Sequence, residues 1–263
     1  MLKRELKITR KSLFIWLFVL ISIFTLVFAM YPYIMNETSG VSMDELLSMF
    51  PEEVLKAFNM DIADISTALG WLKTEGITFL LLIYGLYASI LGSNIILKEE
   101  SDKTIEFLYS KPISRNKILS TKIMAGIINI IVLVLLNTIF INIGLLICNC
   151  YNFKEINLLC LVPLLPTLVI FFISLCISTF FKKTKQTIGI SIALVFINYF
   201  IYTFASISSK IENLKYITVY TLADIRNVIN KINFNIINIP ISIILIIILL
   251  FISYKKYNQK EFL

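Results

Sequence analysis

The sequence predicts an all-α polytopic membrane protein with six transmembrane helices, and three observations carry that prediction. Six apolar runs of about twenty residues divide the chain, none with a charge at its centre. The apolar fraction is 58% and mean hydropathy is +0.85, which leaves no room for a large soluble domain beside six spans. Segments rich in Lys and Arg alternate with segments poor in them. One membrane domain is therefore expected over residues 1–263.

The runs cover about 13–33, 77–97, 123–148, 158–181, 188–207 and 236–254. At about 1.5 Å of rise per residue each can cross a hydrocarbon core of about 30 Å as a helix. The sixth is built almost wholly of Ile, Leu and Phe from Ile236 to Ile252, so its insertion is favourable by on the order of 5 kcal/mol. Ile, Phe and Tyr favour strands in water, but an open strand in lipid leaves backbone groups unsatisfied, and the runs are read as helices.

Of the 24 Lys and Arg, 17 fall in the odd-numbered segments between runs and 7 in the even ones. The positive-inside rule then places both termini in the cytoplasm. The net charge of +7 follows from this distribution, and no nucleic-acid partner is expected. In the N-terminal tail Leu2, Leu6, Thr9 and Leu13 share one helical face, with Lys3, Lys7, Arg10 and Lys11 largely elsewhere. That pattern suits a short interfacial helix that turns into the first span, and equally an ordinary basic topology signal. Phe28 to Pro32 offers no small-x-small cleavage site, so the first run is read as an uncleaved anchor.

The segment Asn36 to Gly76 is acidic and expected outside; Met43 to Asn59 reads as an amphipathic interfacial helix whose second half starts at Pro51. Cys148, Cys150 and Cys160 flank the third connection, where a disulfide or soft-metal site is conceivable, although free cysteines more often pack as small apolar residues. Pro163 and Pro166 allow a kink in the fourth run. Asn129, Asn137, Asn142 and Asn198 lie within runs, where bonding between helices is the commoner use of an amide. A short helix from about Leu222 to Ile232 is expected in the last outer connection.

One cytoplasmic connection, Lys98 to Lys122, has the length and pattern to meet a partner. Ser101 or Asp102 can cap a short helix with Ile105, Leu108 and Tyr109 on its apolar edge; Pro112 ends it, and Ser114 can cap the third span. Its charges alternate in sign, which suits a protein surface better than lipid headgroups.

These residues resemble the ABC-2-type transporter permeases, membrane subunits of one class of ATP-driven exporter. Members commonly carry an acidic pair, a Gly-Thr-x-Glu, two apolar residues, a Pro-x-Ser-Arg and a Lys between their second and third spans. The matching positions are Glu99 and Glu100, Thr104 and Glu106, Phe107 and Leu108, Pro112, Ser114 and Arg115, and Lys122, with Lys103 where Gly is usual. The resemblance implies that Glu100 to Arg115 forms a coupling helix seated on an ABC ATPase subunit. It also implies a second permease chain, identical or related, residence in a bacterial cell membrane, and export of an apolar or amphipathic substrate such as an antimicrobial peptide, drug or lipid. No G-x-x-x-x-G-K-[ST] loop is present, so the chain is not itself an enzyme and holds no cofactor; ATP and Mg would bind the partner.

Two other classes compete. Intramembrane proteases that use Glu-Glu-x-x-x-Arg would need Arg where Thr104 stands, and the chain has no His. An ion-coupled secondary carrier, or an accessory membrane protein without an ATPase, would be expected to show internal repeats or an interrupted span at midplane, and no repeat is evident.

Overall fold

Inside a bilayer a backbone must satisfy its own hydrogen bonds, and the apolar runs do so as helices. The computed structural model describes residues 1–35, 50–57, 60, 67–102, 104–105, 113–207 and 211–260. Among these there is no strand, and six helices are long and apolar enough to cross a membrane. The first span is Leu2–Met35, the second Ala68–Ser101, the third Arg115–Ile147, the fourth Phe153–Phe180, the fifth Thr184–Ile207 and the sixth Asn238–Gln259.

The helices outrun the apolar stretches at several ends, for physical reasons. The N-terminal tail does not turn into the first span as a separate interfacial helix; residues 2–35 form one unbroken helix. Leu2 and Leu6 pack against the core and Glu5 is buried, so the tail follows the bundle rather than a leaflet surface. Ser101 and Asp102 do not open a helix as expected but close the second span, with Asp102 donating its backbone N–H to the Lys98 carbonyl at 2.8 Å. Ser114 does cap the third span: its hydroxyl accepts from the Lys117 N–H at 3.4 Å.

Near its start the second span holds a π turn, Leu72–Gly76, and the fourth is broken between Phe153–Leu161 and Leu164–Phe180. Pro163 sits at that break, where its missing N–H would otherwise interrupt the helical ladder. The π turn carries Lys73, whose ammonium lies 2.6 Å from the buried carboxylate of Glu155 on the first piece of the fourth span. This pair ties the two spans together at the end remote from the termini. Of the expected outer amphipathic helix, Glu52–Ala57 is formed, immediately after Pro51. Of its remainder, Phe50 and Pro51 are not helical, and 43–49 and 58–59 lie outside the described residues.

The second span is the hub of the bundle. It packs on the fourth and fifth spans, the first packs on the third, and the sixth on the fourth. Tyr84, Tyr87, Leu80 and Leu97 of the second span are sealed from solvent and lipid alike. Gly92 explains the close approach to the fourth span: a Cβ there would stand 2.6 Å from the Phe171 carbonyl oxygen, so a small residue is required. The intramembrane amides work mainly between helices. Asn137 donates to the Tyr84 hydroxyl at 2.9 Å, Asn129 to the Thr9 hydroxyl at 2.8 Å, and Asn198 accepts from the Val219 N–H at 3.2 Å. None of the four cysteines is in a disulfide, and Cys160 and Cys176 are buried in the packing.

The connection between the fifth and sixth spans folds as two 3₁₀ turns, Glu212–Ile217 and Val219–Ala223, and a short helix, Ile225–Lys231. The helix falls where the sequence places one, while the 3₁₀ turns have no periodicity by which to announce themselves. Asp224 joins turn and helix at φ 47°, a left-handed conformation that Asp tolerates better than most residues. Tyr220 plunges from the turns into the bundle, packing edge-on against Tyr199 beside Gly85.

Candidate functional site: the end of the bundle that holds the termini

At the end where both termini lie, the described part of the Lys98 to Lys122 connection is gripped from two sides. The first grip centres on Lys122, about two turns into the third span and only 1% exposed. Its ammonium donates to both carboxylate oxygens of Glu99, at 2.7 and 2.6 Å, and to the Ile95 carbonyl at 2.6 Å. Glu5 of the first span stands 3.7 Å away on another side. Glu99 and Glu5 are buried too, so three spans meet on one desolvated charge cluster. Such a cluster contributes little net stability against an apolar alternative but fixes the relative position of its members, because any one of them left alone would be an uncompensated buried charge.

The second grip holds the C-terminal end of the sixth span. Lys260 donates to Glu100 at 2.9 Å and to the Phe181 carbonyl at 2.8 Å. The Arg115 guanidinium donates to the carbonyls of Asn258 and Lys260, each at 3.0 Å, placing a cation on the last carbonyls of a helix. Asn258 adds a bond to the Asn116 side chain at 2.8 Å. The last turn of the sixth span is thereby fastened to the end of the second, the start of the third and the turn between the fourth and fifth.

Among the residues singled out by sequence, Glu99, Glu100, Thr104, Ser114 and Arg115 are all found at this end. Thr104 folds back on the second span, its N–H donating to the Glu99 carbonyl at 2.8 Å, and Ile105 is buried. Glu106, Phe107, Leu108 and Pro112 lie outside the described residues, as does Lys103. Sequence reasoning missed Glu5, Asn258 and Lys260. Lys260 is 160 residues from Glu100, and a single basic residue after a span reads only as a topology signal.

Charge is confined to the ends of the bundle. Midway along the described spans the polar groups are amides and hydroxyls, such as Ser93 donating to Ser191 at 2.8 Å between the second and fifth spans. A family model described as ABC-2 family transporter protein matches residues 1–262. The chain belongs to the ABC-2 transporter family. Neither the curated proteins nor the solved structures gave a match. As an ABC-2 permease it is a multi-pass membrane transport subunit.

Proposed function

We propose that the chain is the membrane half of an exporter for an apolar or amphipathic substrate, driven through the segment Glu100 to Arg115 by a separate ABC ATPase, with a second permease chain completing the transporter. The observation that carries this reading is the double grip. A push on the connection reaches the second and third spans directly, the first span through Glu5 and Lys122, and the sixth span through Lys260 and Arg115. A local displacement at the ATPase therefore moves the bundle as a rigid lever between two arrangements, as two-state switching requires.

The substrate class follows from the spans. Their middles offer hydroxyls, amides and apolar side chains rather than a chain of titratable groups, which suits an apolar or amphipathic cargo and not a proton or ion relay. The placement of the connection in the cytoplasm rests on the Lys and Arg distribution, and that of the chain in a bacterial cell membrane on the family resemblance. Co-expression with an ABC ATPase encoded beside this chain tests the reading: the two are expected to co-purify as a stable complex that hydrolyses ATP. Recovery of the permease free of the ATPase under mild detergent would reject it.

A further inference from the structure

Among the asparagines of the six spans, Asn94 stands apart. The others, such as Asn129, Asn137 and Asn198, each bond a neighbour, whereas the half-buried side chain of Asn94 bonds none of the described residues. An amide in an apolar span is costly unless its N–H and C=O groups are met. Asn94 lines a cavity of about 300 Å³ bounded by the first, second and fifth spans at the end that holds the termini. Ligand sites run from about 300 to 1,000 Å³, so this one suits a headgroup rather than a whole lipid.

Along the second span the lining of this cavity passes from apolar to charged. Ile90 and Leu91 close it toward midplane, Asn94 follows about one turn later, and Lys98 about one turn after that. Ser12 of the first span and Thr184 at the start of the fifth add hydroxyls. Among the described residues the side chains of Lys98 and Ser12, like that of Asn94, have no hydrogen-bond or ion-pair partner. Lys122 and Lys260 at the same end each hold a carboxylate, so Lys98 is a cation left over from the two grips. Asp102 lines the mouth about one turn beyond Lys98 without pairing with it. Exposed lysines outnumber that carboxylate, with Lys11 beside Ser12 and Lys183 and Lys185 on either side of Thr184. An ammonium, an amide and a hydroxyl facing one space under a positive surround are complementary to an anion.

We propose that this cavity binds the phosphate of an anionic phospholipid from the leaflet on the side of the termini, with Lys98, Asn94 and Ser12 donating to its oxygens. The ammonium supplies a charge-assisted bond, and the amide and hydroxyl supply neutral ones. Depth favours a lipid over a soluble phosphate. From Asp102 to Asn94 is about 12 Å of helix, which carries the amide below the basic surface to the apolar floor of Ile90 and Leu91. The site goes beyond the transport reading and can be tested without an ATPase.

The test is native mass spectrometry of the full chain in mild detergent, titrated with phosphatidylglycerol or phosphatidylcholine of the same acyl composition. One phosphatidylglycerol is expected to be retained about tenfold more tightly than phosphatidylcholine. Lys98→Gln and Asn94→Leu are each expected to weaken its retention about tenfold, while Lys117→Gln, exposed at the same end on the third span, leaves it unchanged. Asn94→Leu breaks no bond to a described residue, so it is also expected to keep the wild-type midpoint of thermal unfolding, which separates loss of the site from loss of the fold. Glycerol phosphate at millimolar concentration is expected to leave the lipid in place. Equal retention of the two lipids, or an equal loss in Lys117→Gln, would overturn the proposal and leave only general attraction to a basic surface. Displacement by glycerol phosphate would overturn it in favour of a soluble phosphate ligand.

Discussion

Lys122 illustrates how one side chain can set the geometry of three helices. It carries a full set of donors into a site 1% exposed, where both Glu99 oxygens and the Ile95 carbonyl receive them and the Glu5 carboxylate stands 3.7 Å away. Replacing it alone, as in Lys122→Met, leaves two buried carboxylates facing each other and is expected to cost about 3–5 kcal/mol of stability. Thermal unfolding in detergent should show that loss, and Lys122→Met combined with Glu99→Gln should recover most of it. The cysteines at the remote end provide a residue-scale test of orientation. Cys148 and Cys150 are partly exposed there, whereas Cys160 and Cys176 are buried. A membrane-impermeant maleimide is expected to label intact cells at the first two and to lose its signal in Cys148→Ser, Cys150→Ser. Burial, and then the neighbouring Cys150 thiol, push the Cys148 thiol above its ordinary range, so its labelling should quicken as pH is raised through the alkaline range.

The elements divide into those the sequence announces and those it cannot. A run of twenty apolar residues announces a span because length and composition alone decide it, and Ser114 announces its cap because the hydroxyl can act within its own turn. Pro163 likewise marks the broken fourth span. The unbroken N-terminal helix was not legible, since a basic amphipathic stretch reads the same whether it lies on a leaflet or continues into the bundle; burial of Glu5 against Lys122 decides between them. The π turn and the 3₁₀ turns were also hidden, because their placement is set by packing partners such as Glu155 and the Gly85 gap rather than by local preference. The second and fourth spans depend on Gly92, where even a methyl group would press on the Phe171 carbonyl. Gly92→Leu is therefore expected to destabilise the bundle by about 1–3 kcal/mol or more, seen as a lower midpoint of thermal unfolding, with Gly92→Ala milder.

For the whole molecule, the long-range ties matter more than any single helix. The family assignment was legible in the connection motif and the span order, and the match over residues 1–262 agrees with it. What stayed hidden was that Glu100 and Arg115 hold the C-terminal end of the sixth span, a relationship across more than 140 residues that no spacing rule contains. If that clasp transmits motion, Lys260→Glu should uncouple the sixth span and reduce transport by the assembled complex while leaving ATPase binding intact. The charge swap Glu100→Lys with Lys260→Glu should restore it, which a merely local packing defect would not allow.

The central claim, that an ATPase drives this bundle through the connection between its second and third spans, is tested most directly by ATPase stimulation in reconstituted complexes. The wild-type permease is expected to bind the ATPase and raise its turnover, while Glu106→Lys is expected to lower that stimulation about tenfold with the permease still folded. Undiminished stimulation by Glu106→Lys, or none by the wild-type chain, would contradict the account.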